Sequence, residues 1–483
     1  MSATTLTAVL DGIAAAQPDA VAIASLNRPP MGYPAFAAAT RRVAEGLARQ
    51  GIGPGDSVAL LLPNRPEVPV LLLALARLGA VAVALDPRFG PEELVALLSR
   101  ARPSAVATVW SAAHATLPER LARALTDSRA PLRFVIGLDA GGVAALAGLP
   151  VLPWKALDAM PERAADDATP ESVCLAMPAG EGRLARHTQQ GVAAHAVAVA
   201  ARLALVPGAS ALLPALPFAT PAGHAVMMAS LTAGSRLLCQ EEPGAAATDA
   251  LVRAHGATHL FALAGEVAAL SVLAARRPYA SLGFAGSLGE AVAPGLPLHE
   301  FWGSAETQGL FALRGEAGFL PVPAATLRLG PTLEIQAATL LVGYCGEAAD
   351  ISPDGFLRTG EPATLADGAF LPSGPRPDGR ISLDGMDVAP AEVARFLARQ
   401  PGVAEAVVVP AAPQGPLVAF LRPVAREEGG AADGAMPDEA TLLAACRAAL
   451  AAPKCPARIV VTEDLPVPEA AAAAAASLAF VAA

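Results

Sequence analysis

Lysine is almost absent: of 34 basic residues in the 483-residue chain, Lys155 and Lys454 are the only two lysines and the rest are arginine. Cysteine is sparse as well. The five residues Cys174, Cys239, Cys345, Cys446 and Cys455 are scattered and odd in number, with no Cys-x-x-Cys and no histidine pair at ligand spacing. This excludes a disulfide framework or zinc module and points to buried thiols in a reducing, cytoplasmic setting. Basic charge is not clustered, and the net charge is −10, so the electrostatic footprint of a nucleic-acid or anionic-lipid binder is missing. A signal peptide is not expected either, since Met1-Ser2-Ala3-Thr4-Thr5 brings neither a basic n-region nor an apolar core. The longest charge-free run, 203–235, is interrupted by Pro207, Pro214, Pro217, Pro221 and Gly223. It reads as strand, loop and helix of a core rather than a membrane span.

What the chain does have is apolar bulk: 54% hydrophobic against 16% charged residues excludes disorder for most of the length. The length allows two to four domains. From residue 33 to 109 the apolar period alternates between helix and strand: 33–50 helical, 56–62 short and apolar, 68–78 helical, 80–85 apolar, 91–101 helical, 105–109 apolar. Short Gly, Pro and Asp turns between them give the βαβ pattern of a mostly parallel sheet. Further cycles over 173–238 and 251–284 extend one large α/β region to about residue 372. The last hundred residues differ, with helices at 389–400 and 438–451, strands at 403–410, 417–422 and 457–462, and a polar loop at 426–436. This is a small α+β unit. The alanine run 470–476 buries little side chain, so a frayed tail is expected over 469–483.

Chemistry-bearing residues come in a definite order. Trp302-Gly303-Ser304-Ala305-Glu306-Thr307 places small residues and a carboxylate at a strand end, where ligands meet parallel sheets. Alone it could be an ordinary turn. About fifty residues on follow Asp354-Gly355-Phe356-Leu357-Arg358-Thr359-Gly360-Glu361, then Arg376, then Gly385-Met386-Asp387-Val388-Ala389-Pro390-Ala391-Glu392-Val393. Order and spacing together resemble the adenylate-forming superfamily of acyl-CoA synthetases, peptide-synthetase adenylation domains and luciferases. The resemblance covers nearly the whole chain, from Tyr33 and Gly55-Asp56-Ser57-Val58-Ala59 to Lys454 and Glu463-Asp464-Leu465-Pro466.

The resemblance implies a large N-terminal domain of parallel or mixed sheets with helices (1–372) and a small mobile α+β domain (377–483). It implies a two-step reaction in which a carboxylate attacks the α-phosphate of ATP and a thiol then takes the acyl group. ATP or AMP, Mg²⁺ and CoA are the implied cofactors, and a carboxylic acid with CoA or an acyl carrier protein the implied partners. Glu306 matches the magnesium-binding glutamate and Trp302 an aromatic that covers adenine, with Gly303 and Ser304 beside it. Glu361 stands where an aspartate holds the ribose, Arg376 matches a ribose- and phosphate-contacting arginine, and Asp378 matches the hinge. Glu306 and Arg376 are the implied catalytic positions. Phe218, His224, Gly286 and Gly289 are implied at the acyl pocket, although His224 as a core histidine is the plainer reading.

Departures from the pattern are concentrated where phosphate chemistry needs groups most. The segment matching the phosphate loop, Cys174 to Arg183, carries no hydroxyl; Pro178 removes an N–H, Glu181 adds negative charge, and only Gly180, Gly182 and Arg183 suit an anion. Thr is replaced by Ala305 before Glu306, and Ser382 stands where a lysine is common. No lysine follows Lys454, and Ala472 falls near the place of the lysine that bridges carboxylate and α-phosphate. Loss of one such preorganised donor costs roughly 2.7–4 kcal/mol of transition-state stabilisation. Two expectations follow. One is an AMP-forming ligase of fatty or aromatic acids, attenuated or limited to a half-reaction. The other is a non-catalytic relative, a pseudoenzyme binding nucleotide, acyl-CoA or a protein partner as regulator or scaffold.

Overall fold

The computed structural model describes residues 4–412, 415–424 and 436–479. Two large sheets carry the first 372 residues. In one, nine strands run in the spatial order Gly343–Tyr344, Arg183–Thr188, Val173–Ala179, Val81–Leu85, Ser57–Leu61, Ala105–Val109, Phe134–Leu138, Leu149–Pro153, Ala145–Leu146. Its centre is parallel, with Val58 opposite Ala82 and Ala105, and its edges are antiparallel hairpins. Central strands such as Val81–Leu85 are apolar at every position because helices cover both faces, as parallel sheets require.

The second sheet has eleven strands, and its parallel heart, Ala211–Pro214, His259–Leu263, Phe284–Leu288 and Leu298–Trp302, positions the site. These four strands end together, so the loops after Leu263, Leu288 and Trp302 gather at one edge. The helix Pro221–Thr232 starts at the same edge, set by Pro221 at its first position and by Thr220, whose Oγ1 accepts from the Gly223 N–H at 3.2 Å. Strands of three or four residues, Ala312–Arg314, Phe319–Pro321, Ala369–Pro372 and Ala363–Ala366, extend the sheet in antiparallel fashion. They make this sheet mixed, as the edge hairpins do the other, and were not separable in the sequence, since pieces so short hold no period.

After residue 380 the chain forms sheets of its own: the hairpin Ile381–Leu383 with Met386–Val388, and a three-stranded sheet of Val403–Pro410, Leu417–Pro423 and Arg458–Val461. Helices Pro390–Ala398 and Glu439–Ala449 accompany them. The tail departs from expectation. Pro468–Ala479 is a helix, and Ala471 and Ala475, one turn apart, are fully buried against Val409, Val418 and Phe420. Alanine at that spacing lets the helix axis approach the sheet closely, which a frayed tail would forgo. Of the loop expected at 426–436, residues up to 435 lie outside the described segments, as do residues 480–483 of the tail. No helix among the described residues is long and apolar enough to cross a membrane, and all five cysteines are free.

The C-terminal part is seated against the rest by close contacts. A Cβ on Gly90 would collide with the backbone of Ala449 and Leu450, so only glycine permits that approach. Beside it Glu93 accepts from the Gly90 N–H at 2.8 Å and, across the junction, from the Ala451 N–H at 3.0 Å. Buried Lys454 lies 2.8 Å from Glu392 and 3.6 Å from Glu93, a pairing that a buried ammonium requires.

Candidate functional site

A cavity of about 1380 Å³ opens where the parallel strand ends face the C-terminal part. Trp302, Gly303 and Ser304 line it, as do Gly180, Glu361 and Arg376, Gly289, and Ala472 from the tail helix. Residues 180 to 472 thus meet in one chamber. Trp302 is held edge-on by Phe311 and Phe370, at centroid distances of 6.2 and 5.0 Å, which fixes its indole plane. Arg376 lies 3.6 Å from Glu361 and donates to the Thr359 carbonyl at 3.2 Å. Burial raises the Glu361 carboxyl above the ordinary range, with Arg376 opposing and Asp378 and Asp387 adding to the rise.

Other expected site residues lie elsewhere. Phe218 and His224 do not reach the large cavity; both are buried and face a void of about 10 Å³ among Leu60, Leu72 and Ala84. Gly286 is also off the cavity, because the place of its missing Cβ is taken by the Phe261 ring. Phe261 packs on Phe284 and Phe301, and Phe284 stacks on His299 at 4.4 Å. The aromatic block therefore fills the space expected beside Gly286, Phe218 and His224 lie in the core, and of the four acyl-pocket residues only Gly289 is on the cavity wall. His224 is a core histidine, yet neither ring nitrogen has a partner among the described residues.

Glu306 and Arg183 sit just behind the wall, and Tyr344 joins them. Its hydroxyl donates to Glu306 Oε1 at 2.8 Å, and the Arg183 guanidinium lies over its ring at 4.5 Å. Burial pushes the Glu306 carboxyl up, but hydrogen bonds from Ser304, its own backbone and Tyr344, with the Arg380 charge, outweigh this and hold it below the usual range. His187, beneath, donates from Nε2 to the Ala305 carbonyl at 2.8 Å.

At the turn after Val173–Ala179, Glu181 and Gly182 adopt φ of 63° and 69°. The Gly180 N–H donates to Asp387 Oδ2 at 3.1 Å. Arg380, 8% exposed, donates to the same oxygen at 2.9 Å and to Asp378 at 2.7 Å. A Cβ on Gly180 would strike both side chains. Burial raises the Asp387 carboxyl, with Arg380 and Arg376 opposing. Tyr344, Arg380 and Phe261 carried no signal in the sequence, and Asp387 stood in a quoted motif without a role.

The family model described as AMP-binding enzyme matches residues 10–314. The 4-coumarate–CoA ligase-like 5 of Oryza sativa subsp. japonica is 27% identical over 400 residues, 79% of this chain and 73% of the relative. The 3-hydroxybenzoate–CoA/4-hydroxybenzoate–CoA ligase of Thauera aromatica is 26% identical over 479 residues, 90% and 88% of the two chains. Among solved structures, an amide bond synthetase from Marinactinospora thermotolerans superposes with a TM-score of 0.78 at 21% identity, covering 97% of each chain. An o-succinylbenzoate CoA synthetase from Bacillus subtilis gives 0.77 at 19%, covering 96% of each. A family match over more than half of the sequence, with relatives aligned along most of its length, makes this chain a member of the AMP-binding enzyme family, within the acyl-CoA synthetase-like adenylate-forming superfamily.

Proposed function

We propose that this protein is an acyl-CoA ligase-like enzyme of the adenylate-forming class in which adenylation is attenuated and acyl transfer to a thiol is the retained half. The observation that carries the reading is Ala472. The tail helix brings this residue to the wall of the same cavity as Trp302, Glu361 and Arg376, so the tail reaches the chamber but presents a methyl where carboxylate activation needs a cation. Trp302 would stack on adenine, Glu361 would accept from ribose hydroxyls, and Arg376 would hold the single phosphate. In the retained step the thiol sulfur bonds to the acyl carbonyl carbon, the mixed-anhydride C–O bond breaks, AMP leaves, and the thiol proton passes to water.

The acid and the acceptor are read from the relatives and from the packing beside Gly286. Two of the relatives aligned over most of the chain are named for coumarate and hydroxybenzoate, and the Phe261 ring fills the space beside Gly286, so a compact aromatic acid is favoured over a fatty one. The thiol would be that of CoA or of a carrier protein. The two parts, 1–372 and 377–483, would pivot near Asp378, in a reducing cytoplasm where the five thiols stay free.

The residues toward Mg·ATP do not fit that group. The turn offers no hydroxyl, its Gly180 N–H is taken by Asp387, and Glu306 already accepts from Tyr344.

One observation favours a second reading, the non-catalytic binder. The Gly90 contact and the Glu93–Lys454 bridge seat the C-terminal part tightly, which disfavours the rotation a two-step enzyme uses. A single assay separates them: the protein is given synthetic 4-hydroxybenzoyl adenylate with CoA, or 4-hydroxybenzoate with Mg·ATP and CoA, and the thioester is quantified by mass spectrometry. Thioester from the adenylate, at rates about 10² or more above those from the free acid, is expected. Absence of thioester from both would leave the binder.

A further inference from the structure

At the turn 180–182 the Gly180 N–H and the neighbouring arginines are engaged by the chain itself. Asp387 supplies the anion for the Gly180 N–H at 3.1 Å, and Arg380 is held between Asp387 and Asp378 at 2.9 and 2.7 Å. Arg183 is engaged by the Tyr344 ring and by the Gly180 carbonyl at 3.3 Å. Glu306 is engaged by the Tyr344 hydroxyl at 2.8 Å. A diphosphate entering here would find the Gly180 N–H used and the two arginines committed. It would meet the carboxylates of Asp387, Glu181 and Glu306, and like charges brought together in a low-dielectric site cost several kcal/mol. The fit is specific, since glycine at 180 is what lets Arg380 and Asp387 enter. Trp302, Glu361 and Arg376 remain on the cavity wall, with Arg376 sharing Asp378 with Arg380.

We propose that the cavity selects adenylates, AMP and acyl-AMP, against Mg·ATP, with the Asp387–Arg380 and Tyr344–Glu306 pairs standing in the place of the β- and γ-phosphates and their metal. The inference rests on the nucleotide-site reading above and adds a substrate class to it. The reaction that supplies this protein is then a carboxylate adenylation carried out by another enzyme, and its products are a thioester and AMP.

The test is calorimetric titration of the full chain with AMP, with Mg·ATP, with Mg·pyrophosphate and with a benzoyl sulfamoyl adenosine, repeated on Asp387→Asn and Tyr344→Phe. Both substitutions conserve shape, and thermal melts check folding. AMP and the sulfamoyl adenosine should bind the unaltered protein at least about tenfold more tightly than Mg·ATP. Asp387→Asn combined with Tyr344→Phe should tighten Mg·ATP by about tenfold while moving AMP by less than about threefold. Equal or tighter binding of Mg·ATP by the unaltered protein overturns the proposal and leaves the nucleotide site intact. A preference for AMP that the double variant does not reduce overturns the assignment to these two pairs. Silence toward all four probes overturns the nucleotide-site reading and this inference with it.

Discussion

Tyr344 donates its hydroxyl to Glu306 at 2.8 Å while its ring lies 4.5 Å beneath the Arg183 guanidinium, so one side chain engages both the acid and the base expected to face phosphate and metal. Tyr344→Phe should leave the Glu306 carboxylate short of a donor and destabilise the fold by about 1–3 kcal/mol. The hydrogen-bonded Glu306 titrates below its ordinary value, so its contribution is present above the unfolded carboxylate pKa and lost as pH falls. The deficit should therefore be largest near pH 7 and shrink toward pH 4. Urea unfolding at both values checks it, and a deficit independent of pH would contradict the role.

Ala472→Lys alone should not create turnover. The new ammonium would reach the cavity wall, yet the turn at Gly180 stays occupied by Asp387. Carboxylate-dependent pyrophosphate release, measured with a pool of aromatic and fatty acids, is expected to stay at background. Robust release from this one change would show that the turn accepts a triphosphate after all.

Arg376→Ala should lower thioester formation from a supplied adenylate by about 10²–10³, through loss of a preorganised cation at the phosphate. Glu306→Ala should lower it less than Arg376→Ala does, by freeing Tyr344 and Arg183 to rearrange behind the wall. Full activity in both variants would place the reacting centre elsewhere.

Three histidines are buried neutral. Burial lowers His187 to about 4 and His195 and His224 to about 3. Their folded pKa values lie below the unfolded value, so the unfolded chain binds the extra protons, and stability is lost as pH falls below about 6.5. At pH 5 each should cost about 2 kcal/mol relative to pH 7.5. Melting temperature followed from pH 7.5 to 5, above most carboxylate titration, should fall steeply; a flat profile would mean the rings are charged or solvated in the fold.

Gly90→Ala should loosen the C-terminal part, because its methyl would overlap the Ala449 and Leu450 backbone. Strain from such overpacking is typically about 1–3 kcal/mol. Faster limited proteolysis at Arg447, with unchanged cleavage within residues 33–110, is the expected pattern.

The regular elements were open to inspection in the linear chain. Helices such as Tyr33–Arg49 and Pro91–Ala101 and strands such as Ala105–Val109 carry their period over enough residues to be read. The order Trp302, Glu306, Glu361, Arg376 was legible because spacing along a chain survives when individual residues change. Ala472 was legible as an absence. The short strands between 312 and 372 were not, and the tail helix was misjudged, because alanine's worth there comes from the sheet it approaches. The decisive pairings belong to tertiary structure. Gly180 and Asp387 are 207 residues apart, and Glu306 and Tyr344 are 38 apart. Composition and period specify which faces are buried, but an N–H finds its particular carboxylate, and a glycine its particular phenyl ring, only when folding brings distant segments within hydrogen-bond and van der Waals range.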